Sequence, residues 1–132
     1  MRTDPTSQRR RILIVEDDAD GREALRTLLV SWGHEVSVAE NGAQGVRLTL
    51  DGHPEIVFID IGMPDMDGYE VARRIRAANG NGDGDGHPRL IAFTGWTRPE
   101  DARRSHAAGF ADHIAKPVHP EALQAFIAAL PK

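Results

Sequence analysis

Four short apolar runs in this chain each end on a polar side chain that can take part in chemistry. The residues at these ends are, in chain order, Glu16 and Asp17, Asp60, Thr94 and Lys116. If the runs are parallel strands of one sheet, their carboxyl ends lie along one edge, where open α/β sheets bind ligands. The pattern therefore predicts a site at which carboxylates, a hydroxyl and an ammonium group converge.

The apolar runs also predict the order of the strands. Ile12 to Val15, Ile56 to Ile59 and Leu90 to Phe93 are continuously apolar, as expected of parallel strands that are covered on both faces. Residues 36–39 alternate more and residues 113–115 form a very short run, which suits the two edges. Helical patterns separate the runs. We therefore predict an α/β fold, a single (βα)5 doubly wound domain with a five-stranded parallel sheet of order 2-1-3-4-5.

Capping residues predict where the five helices begin. A polar residue followed three positions later by Glu or Gln is typical of a helix start. The expected starts of the first four helices are, in chain order, Asp20 with Glu23, Asn41 with Gln44, Asp67 with Glu70, and Thr97 with Glu100. The fifth helix is expected to open at His119 and Pro120.

Length and composition limit the possible classes of protein. The 132 residues have room for one domain, which we place at 11–131, after a polar tail over residues 1–10 that we expect to be disordered. The net charge is −4 and the basic residues are scattered except at 9–11, so we expect no nucleic-acid partner. No apolar run approaches the roughly 20 residues needed to span a bilayer, so no membrane insertion is expected. The absence of cysteine excludes thiolate chemistry and agrees with a cytoplasmic location.

The glycine-rich segment at residues 79–87 (NGNGDGDGH) carries part of a calcium-loop pattern. Asn81, Asp83 and Asp85 match its first half, but Ala92 stands where the bidentate glutamate is required. We therefore interpret the segment as a flexible connector.

Lys116 is one of only two lysines, the other being Lys132, in a chain with 16 basic residues. The chain otherwise uses arginine, whereas a compact ammonium group suits a point contact with a phosphate oxygen. Clustered carboxylates repel one another unless a cation balances them. The predicted site therefore calls for both Lys116 and a divalent metal ion.

Four segments, read together, resemble the receiver domain of two-component response regulators. They are ILIVEDD, IVFIDIGMPDMDGYEVARRIR, LIAFTG and GFADHIAKPV, and the match covers nearly everything from Arg11 onward. The resemblance implies a flavodoxin-like fold. The stretch GFADHIAKPVHPEAL is particularly similar to receivers attached to hybrid sensor kinases, so both an excised domain and a free single-domain regulator agree with the sequence.

The resemblance implies a phosphoacceptor site. Asp60 would take a phosphoryl group from the phosphohistidine of a histidine kinase or a histidine phosphotransfer protein, in a reaction that requires Mg²⁺. The implied ligands of Mg²⁺ are Asp17, Asp60 and the Gly62 carbonyl, with Glu16 completing the acidic pocket through water. Catalysis of phosphoryl transfer is mainly positioning and electrostatics, here by the ion, Thr94 and Lys116. The protein would then be no enzyme beyond its own phosphorylation and dephosphorylation.

A conformational switch and an output surface are also implied. Thr94 and His113 occupy the positions of the switch residues, although a half-exposed edge histidine without that role explains His113 equally well. The Lys116–Pro117 bond is expected to be cis. A downstream partner would dock on helix 4, strand 5 and helix 5, around Arg103, His106, Phe110 and His113.

The two positions that follow Asp60 and Thr94 by two residues are Gly62 and Trp96. Gly62 has no side chain, whereas Trp96 is bulky enough to cover the phosphorylated carboxylate. We therefore expect slow loss of the phosphoryl group, because Trp96 would restrict the attacking water.

Three other functions compete with this interpretation. A pseudo-receiver would act through protein contacts alone, but it would not need Asp60, Thr94 and Lys116 together. An aspartyl-nucleophile phosphatase usually has a second aspartate where this chain has Gly62. A nucleotide- or flavin-binding domain would need a glycine-rich loop after the first strand, where the charged sequence EDDAD stands instead.

Overall fold

Strands and helices alternate strictly along the chain. The computed structural model describes residues 9–64, 66–78, 88–95 and 99–130, without the side chains of residues 99 and 102. The strands are β1 (Arg11–Val15), β2 (Glu35–Ala39), β3 (Ile56–Asp60), β4 (Arg89–Thr94) and β5 (Asp112–Ala115). The helices are α1 (Ala19–Ser31), α2 (Gly42–Gly52), α3 (Gly68–Ala78), α4 (Pro99–Ala108) and α5 (Pro120–Ala129). The predictions for Trp96, for the cap at Thr97 and for residues 79–87 lie outside the described residues.

All five strands pair in parallel, in the order β2-β1-β3-β4-β5. The predicted sheet order is therefore confirmed. The register joins Ile14 to Phe58 and Phe58 to Ile91, so the three continuously apolar strands form the centre of the sheet. This pairing brings the carboxyl ends of β1, β3, β4 and β5 to one edge.

Alternate residues of the central strands enter two separate cores. Leu13, Val57 and Ile59 pack with the buried face of α3, whereas Ile12, Ile14 and Phe58 pack with buried residues of α1 and α5. Phe58 also stacks on Phe93 with ring centroids 4.9 Å apart. Burial of each large apolar side chain stabilises the fold by about 1.5–3 kcal/mol, and truncation of Phe58 to alanine would cost about 3–5 kcal/mol. The two cores explain why these strands lack the alternation of a half-exposed sheet.

The helix starts follow local hydrogen bonding. The Asn41 side chain accepts the Gln44 N–H at 2.8 Å, and the Asp67 side chain accepts the Glu70 N–H at 3.0 Å, as the sequence predicted. The cap predicted at Asp20 is wrong, because Asp18 accepts the Gly21 N–H at 2.8 Å and Asp20 lies inside the first turn. The EDDAD segment offers several acidic candidates for one cap, and only the path of the chain after β1 selects among them.

Arg10 corrects the predicted start of the ordered chain. It belongs to the segment expected to be a disordered tail, yet it is only 4% exposed. Its guanidinium pairs with Glu55 at 3.2 Å and donates to the Leu130 carbonyl at 2.6 Å. Residues 1–8 lie outside the described residues, so the rest of the tail stays a prediction.

Among the described helices, none has the length and apolar character that a membrane crossing requires.

Candidate functional site

The carboxyl edge of the sheet holds the side chains that the sequence singled out. Val15 ends β1 beside Ile59 of β3, so the following Glu16 and Asp17 emerge next to Asp60. Asp60 pairs with Phe93, one residue before Thr94. The predicted convergence of these chain segments is therefore present in the fold.

Lys116 connects three strand ends at this edge. Its ammonium nitrogen lies 3.1 Å from Asp60 Oδ1 and 3.3 Å from Glu16 Oε1. Its backbone N–H donates to the Thr94 carbonyl at 2.8 Å, which continues the pairing of β4 with β5. The peptide bond between Lys116 and Pro117 is cis, as the resemblance implied. Lys116, which follows β5, thus contacts the buried acid that follows β1 and the buried acid that ends β3.

Three carboxylates surround this single ammonium group. One carboxylate oxygen each from Glu16, Asp17 and Asp60 lie within 4.8 Å of one another. Glu16 and Asp60 are 7% and 8% exposed, whereas Asp17 is exposed to solvent. The cluster has more negative charge than Lys116 balances, and oxygen donors of this type are what hard divalent cations prefer. The donor set therefore agrees with a magnesium ion.

Burial and mutual repulsion determine the protonation of the metal-free cluster. Burial, followed by a hydrogen bond with Asp60 and the charge of Asp60, raises the pKa of Glu16 to about 7, although the Asp18 N–H and Lys116 oppose the shift. For Lys116, burial lowers the pKa, but the hydrogen bonds and charges of Asp60 and Glu16 outweigh it and raise the pKa above its ordinary value. The cluster therefore holds a charged lysine and, near neutral pH, a Glu16 that binds a proton readily.

Asp60 is also fixed from the side of the following loop. The Gly62 N–H donates to Asp60 Oδ1 at 3.1 Å, so the loop orients the carboxylate. The Gly68 N–H donates to the Ile61 carbonyl at 3.1 Å, and a Cβ on Gly68 would lie 2.9 Å from the Asp60 carbonyl oxygen. Gly68 therefore allows the start of α3 to approach the backbone of Asp60. Gly68 was not predicted as a site residue, although its position directly after the Asp67 cap could have indicated it.

A cavity of about 670 Å³ opens beside the acidic cluster. Its acidic side is formed by the cluster itself and Asp18, and its apolar side by α1, β4 and the start of α5. The apolar lining includes Ala24, Leu25, Leu28, Phe93, Pro117, Val118 and Pro120. Leu25 and Leu28 of α1 are half-buried at this cavity. A group that reaches Asp60 can therefore approach over an apolar floor.

The remaining predicted residues lie at different depths. Thr94, at the end of β4, is 6% exposed, and His113 is half-buried in β5 opposite Ala92. Arg103 and His106 are exposed on α4. Phe110 is 3% exposed and contacts the Tyr69 ring edge-on, so its predicted place on a docking surface is wrong. The aromatic side chain completes the core under α3 and α4.

Comparison with known proteins gives a consistent result. The family model of the response regulator receiver domain matches residues 12–128. An uncharacterized 14.6 kDa protein of Leptolyngbya boryana is 38% identical over 109 residues, which are 83% of this chain and 80% of that protein. The transcriptional regulatory protein AfsQ1 of Streptomyces coelicolor is 34% identical over 90% of this chain and 50% of its own length. The virulence sensor protein BvgS of Bordetella pertussis is 36% identical over 86% of this chain but only 9% of its own length.

Solved structures agree with the fold. A CheY-like receiver domain protein of Methanospirillum hungatei, 28% identical, superposes with a TM-score of 0.79 over 91% of each chain. The chemotaxis protein CheY4 of Vibrio cholerae, 23% identical, superposes with a TM-score of 0.82 over 91% of this chain and 97% of its own. The family match covers both the sheet and the acidic edge that carries the site. The chain therefore belongs to the response regulator receiver domain family.

Proposed function

We propose that this receiver domain takes a phosphoryl group from a phosphohistidine onto Asp60, in a Mg²⁺-dependent reaction, and thereby changes its surface for a downstream partner. The observation that carries the proposal is the placement of Asp60. Its carboxylate lies 3.1 Å from the Lys116 ammonium group and within 4.8 Å of two further acids, beside a cavity that opens to solvent. A nucleophile, a fixed positive charge and a metal-compatible cluster therefore share one accessible edge.

Asp60 acts as the nucleophile. A carboxylate oxygen of Asp60 forms a bond to phosphorus while the bond between phosphorus and the donor imidazole nitrogen breaks, and the imidazole leaves with its electron pair. Lys116 stays charged because its pKa is raised, so it stabilises negative charge on the transferring oxygens. Thr94 donates its hydroxyl to one of these oxygens. The Gly62 N–H keeps the carboxylate oriented for in-line attack.

Asp17, Asp60 and the Gly62 carbonyl would hold Mg²⁺, with Glu16 contributing through a water molecule. When bound, the ion neutralises charge on the phosphoryl oxygens and on the carboxylates. Mg²⁺ prefers a few carboxylates together with water and phosphate oxygens, and this edge offers that number. Positive charge at the cluster lowers the pKa of Glu16 and favours its ionised form.

The partners follow from the same chemistry. A histidine kinase or a histidine phosphotransfer protein is the donor, and its imidazole approaches Asp60 over the apolar floor of the cavity. Thr94 and His113 form the switch that transmits the modification to a partner surface on α4, β5 and α5. Arg103 and His106 are its exposed members. The domain catalyses only its own phosphorylation and dephosphorylation.

Intact mass spectrometry tests the proposal. The wild type, Asp60→Asn and Asp51→Asn are incubated with acetyl phosphate, with Mg²⁺ and with EDTA. Asp51 is an exposed acid of α2, so its replacement makes the same chemical change away from the site. We expect a gain of one phosphoryl group in the wild type and in Asp51→Asn, only with Mg²⁺, and no gain in Asp60→Asn.

Two results would overturn the proposal. Retention of the mass gain in Asp60→Asn would place the acceptor elsewhere. No gain in the wild type, either with acetyl phosphate or with a phosphorylated histidine phosphotransfer protein, would identify a pseudo-receiver.

A further inference from the structure

Two arginines lie along the seam between α3 and α4, on the side of the sheet opposite the α1–α5 core. Arg76 comes from the last turn of α3 and is half-buried, and Arg104 comes from α4 and is exposed. The Arg104 guanidinium carbon lies 4.1 Å from the centroid of the Tyr69 ring, a cation–π contact that orients it. We call Arg76 and Arg104 the seam arginines.

Gly109 makes room for Arg76. It ends α4 with a φ of +110°, and a Cβ at this position would lie 2.8 Å from Arg76 Cγ and 3.1 Å from Arg76 Nη1. The Arg76 side chain therefore packs directly against the backbone of Gly109. Among the described residues, the Arg76 Nε is a buried side-chain nitrogen without a hydrogen-bond partner. A desolvated N–H of a cation that makes no hydrogen bond is costly, and such groups call for an explanation.

Neighbouring arginines of α3 are satisfied, in contrast to the seam arginines. Arg73 and Arg74 each lie 2.8 Å from a carboxylate oxygen of Glu70. Within the described part of the chain, Arg76 and Arg104 have no carboxylate within ion-pairing distance. Among the described residues, the guanidinium groups of Arg76 and Arg104 thus lack the carboxylate partner that Glu70 gives to Arg73 and Arg74.

The spacing of the seam arginines defines what they can hold. Tyr69, under Arg104, and Arg76 are seven residues apart on α3, a rise of roughly 10 Å, or two helical turns. One carboxylate cannot bridge that distance. Two acidic side chains seven residues apart on a partner helix have the same spacing.

Local charge disfavours a polyanion such as nucleic acid. The chain has a net charge of −4, and Glu70 and the first-turn acids of α4 lie on the same two helices. These acids would repel a continuous row of phosphates, whereas separate carboxylates on a protein segment can pair with the guanidinium groups alone. Arginine is the side chain best suited to bind a planar carboxylate through two parallel hydrogen bonds.

We propose that the seam arginines form a docking surface for an acidic helix of a protein partner, which presents two carboxylates two turns apart. Binding gives the Arg76 guanidinium the hydrogen bonds it lacks, after a rotamer change of a long and flexible side chain. The surface lies on the α3 side of α4.

Fluorescence anisotropy with defined helical peptides tests the proposal. The probe is an alanine-rich labelled peptide with two glutamates seven residues apart, and its partner probe has glutamine at both positions. The double variant Arg76→Gln/Arg104→Gln is compared with Arg73→Gln/Arg74→Gln, which removes the same charge from arginines already paired with Glu70. Thermal unfolding establishes that both variants fold, and the single exposed change Arg104→Gln serves if the first double variant does not.

We expect the wild type to bind the glutamate peptide at least about tenfold more tightly than the glutamine peptide. The seam double variant should lose that difference, whereas the control double variant should stay within about twofold of the wild type. Equal loss in both double variants would indicate attraction by net charge and overturn the proposal. No binding of the glutamate peptide to the wild type, or tighter binding of a single-stranded DNA of equal charge, would overturn it as well.

Discussion

Each end of the sheet holds a cation next to a carboxylate, but the two ends balance its charge differently. At the amino end, the Arg10 guanidinium is shared by Glu55 at 3.2 Å and by the Leu130 carbonyl at 2.6 Å. At the carboxyl end, Lys116 lies against Asp60 and Glu16 while a third acid, Asp17, stands beside them. One end balances its charge within the protein, and the other leaves a negative excess.

Arg10 thus belongs to a structural ion site, whereas Lys116 belongs to the candidate functional site. Arg10 joins residues preceding β1 to the end of α5 and to the residue before β3, so its charge stabilises a closed arrangement. The carboxyl end stabilises the fold less than it could, because carboxylates that repel one another are kept together. That unbalanced negative charge is what a divalent metal ion can neutralise.

Among changes to the charged residues at the two ends of the sheet, replacement of Arg10 by alanine should have the largest effect on stability. The change removes the ion pair with Glu55 and leaves the Leu130 carbonyl without its donor, so the free energy of unfolding should fall by about 2–4 kcal/mol. Urea denaturation measures the loss. The control is Arg9→Ala, since the Arg9 side chain is 70% exposed and pairs with exposed Glu35 at 3.7 Å. It should change stability by less than about 0.5 kcal/mol, and similar losses in the two variants would contradict the difference between buried and exposed arginines.

Addition of Mg²⁺ should act only at the carboxyl end. At a concentration well above its Kd, the ion should raise the free energy of unfolding by about 1–3 kcal/mol, because it binds the folded acidic cluster and not the unfolded chain. Asp60→Asn should lose this increment, and Arg10→Ala should keep it at a lower baseline. Calorimetry at fixed ionic strength measures both. An equal increment in Asp60→Asn would show that the ion acts through general screening.

The metal-free cluster should also give stability a pH dependence. Glu16 has an ordinary pKa of 4.5 and a folded pKa of about 7, so its ionisation disfavours the folded state. Its contribution is most favourable below pH 4.5 and is lost as the pH rises from 4.5 to about 7. Glu16→Gln should therefore gain stability relative to the wild type across this window, by on the order of 1 kcal/mol. Denaturation in EDTA at both ends of the window measures the gain, and Glu23→Gln, an exposed acid of α1, should show none.

The smallest effect concerns His34 at the amino end. His34 Nδ1 accepts the Arg10 N–H at 3.1 Å, and burial, followed by the charge of Arg10, lowers the pKa of His34 from 6.5, although Glu55 opposes the shift. The folded protein thus keeps the imidazole neutral, so stability is lost as the pH falls below 6.5. His34→Gln should remove this acid-side loss, which we expect to be under about 1 kcal/mol. Denaturation at about pH 5 and about pH 8 measures it, with exposed His106→Gln as the unaffected control.

Sequence patterns predicted the fold correctly where a single physical requirement determined the structure. Strands that are apolar throughout must be covered on both faces, so they were placed at the centre of the sheet. This placement predicted the strand order and the edge at which the carboxyl ends of the strands meet. The positions of Asp60, Lys116 and the two acids after β1 then followed from strand ends alone. The cap at Asn41 followed from a local hydrogen bond between residues three positions apart.

Apart from the local choice of cap at Asp18, the errors concern residues whose partners are distant in sequence. Arg10 looked like part of a polar tail because its partners, Glu55 and Leu130, lie 45 and 120 residues away. Phe110 looked like a surface aromatic because its neighbour Tyr69 belongs to another helix. The cavity beside Leu25 could not be predicted, since periodicity identifies the inward face of α1 but not how closely α5 covers it.

The alternation of β3 residues between the two cores limits which changes in chain length the site can tolerate. Asp60 shares its face with Ile56 and Phe58, on the side of the cavity. A single residue inserted inside β3 would turn Asp60 toward α3 and away from Lys116, because side chains alternate with a period of two. An insertion in the turn at His53 and Pro54 would leave the strand register, and hence the site, unchanged. Among descendants of this sequence, we therefore expect loop lengths to drift while the length of β3 stays constant.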